Sequence, residues 1–154
     1  MIRWKPLLIS LGISLGVGAL SGAVVSDAIR QYQALRQPTG APPAWLFPVV
    51  WTVLFFLMGI SAYLVWISDS PERATALKLY GAQLVINFVW PLLFFSAQQY
   101  FAAFIWLVLL WIFVAAMIVW FYQIDRAAAW LQLPYLFWLT YAGYLNLAVC
   151  RLNT

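Results

Sequence analysis

From Leu79 to Ile124 the chain carries no Asp, Glu, Lys or Arg, and this run of 46 residues constrains the fold more than any other feature. A bilayer's hydrocarbon core takes about 20 apolar residues per helical crossing. The run is too long for one crossing and right for two. Asn87 falls near the middle of the first crossing, where a side-chain amide is costly unless something bonds to it. Pro91, four residues on, has no N–H to give the carbonyl of Asn87. One level of one helix therefore offers both an amide and a free carbonyl. At about 100° per residue, Tyr80, Gln83, Asn87, Trp90 and Phe94 fall within about 80° of one another. This polar-aromatic stripe reads either as an interhelical hydrogen-bond clamp beside a proline kink or as one wall of a ligand site.

Composition extends the membrane reading to the whole chain. Of 154 residues, 66% are hydrophobic and only 8% are charged, whereas soluble domains run near 25% charged. Long apolar runs between short charged stretches mark a polytopic α-helical membrane protein, and the short alternating segments of a membrane barrel are absent. What lies outside the spans is too short to fold alone, so residues 1–154 form a single domain. The net charge of +4 does not point to nucleic acid, because the basic residues are scattered at span ends, where they anchor helices at the headgroups. With no His and only Cys150, the chain lacks the ligands of zinc sites, disulfides and axial haem ligation, and no metal or required cofactor is expected. No ionisable residue lies deep within a span, which disfavours proton relays and ion-coupled transport.

Five spans are expected, at about 6–25, 44–68, 74–96, 101–122 and 128–151. A signal-peptide reading of the first, with Ser21-Gly22-Ala23 as cleavage site, is set aside because the apolar run is longer than a typical signal core. Ser10, Ser14, Gly18 and Gly22 recur every four residues, a small-residue face that lets another helix approach closely, either within the bundle or from a second subunit. Asp27 to Arg36, with Ile29, Tyr32 and Leu35 at helical spacing, reads as a short amphipathic helix at the interface. The Pro-rich stretch Gln37-Pro38-Thr39-Gly40-Ala41-Pro42-Pro43 must run outside the hydrocarbon, as a connector or as a lid over the bundle. On the fourth span Trp106, Leu110, Phe113 and Met117 read as packing. On the fifth, Tyr135, Trp138, Ala142 and Asn146 share a face, and Pro134 frees the carbonyl of Trp130. Five basic residues (Arg3, Lys5, Arg73, Lys78, Arg126) fall on one side and three (Arg30, Arg36, Arg151) on the other, which places the N-terminus in the cytoplasm.

These stretches resemble a known family. Tyr32 to Trp45 looks like its first-loop motif. Phe47-Pro48-Val49-Val50-Trp51 and Met58 to Trp66 look like its second span. Asn87-Phe88-Val89-Trp90 with Phe94-Phe95, then Pro134 to Trp138 and Leu145-Asn146, complete the set, in order over nearly the whole chain. The chain is similar to the tryptophan-rich sensory protein (TspO/MBR) family, which includes the mitochondrial translocator protein. The resemblance implies an all-α bundle of five transmembrane helices in a bacterial cell membrane, usually dimeric. It implies binding of protoporphyrin IX and of benzodiazepine-type and isoquinoline carboxamide drugs. The family's pocket positions match Tyr32, Pro42, Asn87, Trp90 and Ala142, to which the fifth-span stripe adds Asn146. Two tryptophans implicated in light- and oxygen-dependent porphyrin breakdown match Trp51 and Trp138. Many members carry Trp where this chain has Gln31, and an aromatic where it has Gly40, which suggests a lid that closes less tightly. Leu147 stands where the animal cholesterol motif needs Tyr, so cholesterol is not expected as the native ligand.

Three functions follow as expectations. The first is a tetrapyrrole binder that senses, carries or sequesters its ligand in a pocket walled by Trp51, Trp90, Trp138 and Tyr32. The second is an enzyme that degrades bound porphyrin photo-oxidatively, with Trp51 and Trp138 as electron or oxygen partners, since no acid–base pair exists for conventional chemistry. The third is a structural or partner-binding membrane protein whose aromatics only pack. Porphyrin, hydrophobic small molecules, lipid and a second copy of the chain are the partners expected.

Overall fold

The computed structural model describes residues 2–154, apart from the side chains of Ala28, Ile29 and Gln31, so the place of Ile29 on the expected amphipathic helix lies outside the described residues. Among them the chain is all-helical: α1 (Trp4–Val25), α2 (Ala28–Gln33), α3 (Leu46–Trp66), α4 (Arg73–Pro91), a π-helical turn (Leu92–Ser96), α5 (Tyr100–Ile124) and α6 (Arg126–Asn153). Each long helix overlies one expected span, with ends differing by one or two residues. Four are long and apolar enough to cross a membrane: α1, α3, α4 with its π turn, and α5. At 28 residues α6 has ample length, but Gln132, Asn146 and the tyrosines at 135, 141 and 144 lower its hydropathy.

Local chemistry sets the breaks. Asp125 has extended backbone (φ −149°, ψ 118°) and accepts a hydrogen bond from the Ala128 amide at 2.9 Å, so one residue ends α5 and caps α6. At the end of α4, Pro91 cannot donate to the preceding turn, and the backbone widens into the π turn, where the Ala97 N–H reaches the carbonyl of Leu92 at 2.8 Å. Gly40 has φ +84°, a left-handed conformation that glycine adopts without penalty, and it turns the Pro-rich loop back with an Ala41 N–H to Pro38 carbonyl bond.

Successive long helices run antiparallel, across short connections from α3 onward and across α2 and the Pro-rich loop between α1 and α3. The α1–α3 pair reads this directly: the Arg3 amide donates to the Tyr63 hydroxyl, Ser10 to the Gly59 carbonyl and Ser14 to the Phe55 carbonyl. The small-residue face of α1 thus packs inside the bundle, against α3. Close approach needs the missing side chains, since a Cβ on Gly18 would lie 2.5 Å from Phe55 and one on Gly59 would lie 2.9 Å from Leu11. The tightest core lies around α5, where Leu110, Val114, Met117 and Phe121 are wholly buried, while Phe101, Ile105, Ile112 and Val119 face outward. An apolar exterior over a packed interior is the solution expected of a chain whose solvent is lipid.

Candidate ligand cavity

Because α1 and α3 separate above Gly18, a cavity of about 810 Å³ opens at the loop end of the bundle. Its walls are Leu15, Ala19 and Gly22 of α1, Phe47, Trp51 and Phe55 of α3, Asn87, Trp90 and Pro91 of α4, and Phe95 of the π turn. Gly22 has nothing within 4 Å of where its Cβ would stand, so the last member of the α1 stripe faces this space. The volume falls in the range of small-molecule sites, which run about 300–1,000 Å³ and are mostly apolar with a few placed polar groups.

Trp51 is the central wall. Its ring centroid lies 6.4 Å from Trp90, 5.7 Å from Phe55 and 6.2 Å from Tyr135. Trp90 is held in place from behind: its indole N–H donates to Asn146 Oδ1 at 3.1 Å, and Asn146 Nδ2 donates to the Tyr100 carbonyl at 2.7 Å. Asn146 is therefore a support for Trp90, away from the cavity lining. Asn87 is buried on the wall, and its Nδ2 donates to the Tyr135 hydroxyl at 2.6 Å, which in turn donates to Gln83 Oε1 at 3.0 Å. The stripe of α4 thus clamps α4 to α6 and lines the cavity at once.

Tyr32 of α2 sits over the cavity's rim, with ring contacts to Phe47 (6.4 Å), Phe94 (5.6 Å) and Phe95 (5.4 Å). Burial pushes its phenol above the ordinary range; nearby Tyr141 adds to the rise and Gln37 opposes it. The hydroxyl stays neutral at physiological pH. Pro42 lies half-buried in the loop above. That loop is fastened to α6: Tyr141 donates to the Gly40 carbonyl at 2.6 Å, Tyr144 to the Thr39 carbonyl at 3.1 Å, and Asn153 pairs with the Arg36 backbone through both amide atoms.

Trp138 and Ala142 are elsewhere. The Trp138 ring lies behind Phe47, 5.9 Å from it, and lines a more open outer groove of about 440 Å³ with Val49, Val53 and Phe137. Ala142 is buried on α6 and off the lining. The two tryptophans expected to hold one ligand between them border different spaces. Sequence reasoning missed Phe47 and Phe95 as wall residues. A regular helix would point Phe94 inward, but the π turn changes the rotation per residue, so Phe94 stacks behind Trp90 (5.5 Å, 23°) and Phe95 faces the cavity. Pro91 was the available signal.

A family model described as TspO/MBR family matches residues 10–152. The chain belongs to the TspO/MBR family. It is 36% identical to the tryptophan-rich protein TspO of Chlorobaculum tepidum, over 96% of this chain and 95% of that protein. It is 38% identical to the human translocator protein, over 97% of this chain and 91% of the relative. It is also 38% identical to the tryptophan-rich sensory protein of Cereibacter sphaeroides, over 90% and 85% of the respective chains. TspO/MBR membership and four apolar helices together make this an integral membrane protein. In this TspO/MBR chain the aromatic residues divide into wall (Phe47, Trp51, Phe55, Trp90, Phe95), rim (Tyr32) and outer groove (Trp138).

Proposed function

We propose that this TspO/MBR protein binds a tetrapyrrole, protoporphyrin IX, in the cavity beside Trp51 and Trp90, and senses, carries or sequesters it. The observation that carries this reading is the cavity itself: about 810 Å³, aromatic on several sides, with the Asn87 amide as a buried polar fixing. A flat, largely apolar ring gains most from such walls, through area and ring-face contact. Arg30 and Arg36 lie in the exposed segment between α1 and α3, and in this reading they pair with the ligand's carboxylates. Benzodiazepine-type and isoquinoline carboxamide ligands suit the same space, with their carbonyl at Asn87. The protein in this reading is a homodimer of five-span bundles in a bacterial cell membrane, with α6 as the fifth span and the N-terminus in the cytoplasm.

The test is titration of the purified protein with protoporphyrin IX, read by quenching of tryptophan fluorescence. Trp90→Ala should weaken binding at least about tenfold, which is roughly 1.4 kcal/mol. Parent-like affinity in that variant, with the fold intact by circular dichroism, sinks the reading. Porphyrin breakdown is a second reading, favoured by the presence of two oxidisable indoles, Trp51 and Trp90, directly on the wall.

A further inference from the structure

Asn87 reaches the cavity wall at the end of a chain of polar side chains. Its Nδ2 donates to the Tyr135 hydroxyl at 2.6 Å, and that hydroxyl donates to Gln83 Oε1 at 3.0 Å. Gln83 is 0% exposed and Tyr135 1%, and of these residues only Asn87 lines the cavity. Gln83 Nε2 ends the chain on the Met58 sulfur, a long contact of 3.9 Å. Asn87 Oδ1, at the other end of its amide, has no protein partner among the described residues and is not one of their fully enclosed unpaired atoms. What Asn87 holds open to the cavity is thus an acceptor.

The direction of this chain is reversible. The two ends of a primary amide have nearly the same shape, one donating and one accepting, and a phenol does both. With Gln83 turned over, its Nε2 donates to Tyr135, the phenol donates to Asn87 Oδ1, and Nδ2 faces the cavity. Either direction keeps both buried bonds, and only the long contact to Met58 is given up. The groups must turn together, because an Asn87 flipped alone would set its oxygen against a phenol oxygen whose hydrogen points to Gln83. We infer that Gln83 and Tyr135 are specificity-determining residues behind the wall, which let Asn87 offer an acceptor to a ligand's N–H or a donor to a ligand's carbonyl. The ligand selects the direction through its own bond. Ligands of opposite demand are then met by one residue of an otherwise rigid wall. This rests on the cavity being the binding site.

The test uses two flat probes of the same tricyclic outline: carbazole, whose polar group is an N–H alone, and fluorenone, whose polar group is a carbonyl alone. Each is titrated into the purified full chain beside protoporphyrin IX and read by quenching of tryptophan fluorescence. In Gln83→Leu the Tyr135 hydrogen keeps one acceptor, Asn87 Oδ1, and a buried donor without a partner costs more than a spare lone pair. Nδ2 is then locked toward the cavity. Carbazole should bind about tenfold more weakly, as for one lost buried hydrogen bond, while fluorenone holds or gains. Gln83→Met, closer to glutamine in shape, should split the pair the same way. Equal loss for both probes, or no change for either, overturns the proposal and leaves Gln83 a packing residue. So does a parent that takes up protoporphyrin IX but neither probe. A parent that binds none of these overturns the cavity reading as well.

Discussion

A methyl group added at Gly18 would stand 2.5 Å from Phe55, whereas one at Gly22 would meet nothing within 4 Å. The same residue type, one helical turn apart, therefore does two jobs. Gly18→Leu should cost at least about 2 kcal/mol, since it must displace a buried ring. Gly22→Leu should melt within about 1 °C of the parent but lose porphyrin affinity by roughly tenfold, because it grows into the cavity. Melting curves and titrations on the pair check this, and equal loss of stability in both would place Gly22 in the packed seam. Asn87 poses a similar question. Asn87→Leu removes one bond to Tyr135, while Tyr135→Phe orphans both Asn87 Nδ2 and Gln83 Oε1, at about 1–3 kcal/mol per buried group. Tyr135→Phe should thus be the less stable variant. Asn87→Leu should weaken a carboxamide ligand by about 1–3 kcal/mol. Unchanged carboxamide binding in Asn87→Leu would leave the residue a clamp only.

At the scale of elements, periodicity told which face of a helix is special but not what stands opposite. The four-residue repeat of Ser10, Ser14, Gly18 and Gly22 announced close approach; that the approaching helix is α3 depended on carbonyls at Phe55 and Gly59, to which no pattern pointed. The α4 stripe was legible to its last residue, where a proline-induced π turn exchanged Phe94 for Phe95. Trp138 was legible as inward on α6, but its ring packs on Phe47 of α3 and borders the outer groove, and a contact of that kind comes from packing helices together. The helix ends were the easiest part, because charges and Asp125 mark them. The Pro-rich loop was open between connector and lid, and its bonds to Tyr141 and Tyr144 now give it a fastening. Removing both hydroxyls (Tyr141→Phe with Tyr144→Phe) should cost about 1–3 kcal/mol of local stability. Hydrogen exchange at Thr39, Gly40 and Ala41 should quicken accordingly, and should slow again when porphyrin binds. Exchange unaffected by both the substitutions and the ligand would reduce the loop to a connector.

For the molecule as a whole, two questions remain separable by experiment. The first is whether bound porphyrin is held or consumed. An indole donates an electron to a photoexcited ring far more readily than a phenyl group does. With Trp51 on the wall and Trp138 behind Phe47, Trp51→Phe should lose most light-dependent bleaching in air and keep most affinity, and Trp138→Phe should lose less. Parent-like bleaching in Trp51→Phe would leave the tryptophans as walls, and a parent that bleaches porphyrin no faster than detergent does would leave a binder. The second is whether α6 crosses the bilayer. If it does, a reporter at the C-terminus and a cysteine at Thr39 lie on the side opposite the 67–72 turn. Labelling of Thr39→Cys and Ser70→Cys in intact cells should differ, with Thr39→Cys the reactive one. A C-terminal reporter on the same side as Ser70→Cys would make α6 a surface helix.

The pairing of Arg36 with Asn153 joins positions 117 residues apart. A nascent chain presents the loop early and this fastening 117 residues later. At ribosomal speeds of about 5–20 residues per second, roughly 6–23 s separate the two. During that interval the site has its aromatic walls from α1, α3 and α4 but no tied roof. Pigment supplied while the protein is being made meets an open vessel; pigment supplied afterwards meets a closed one.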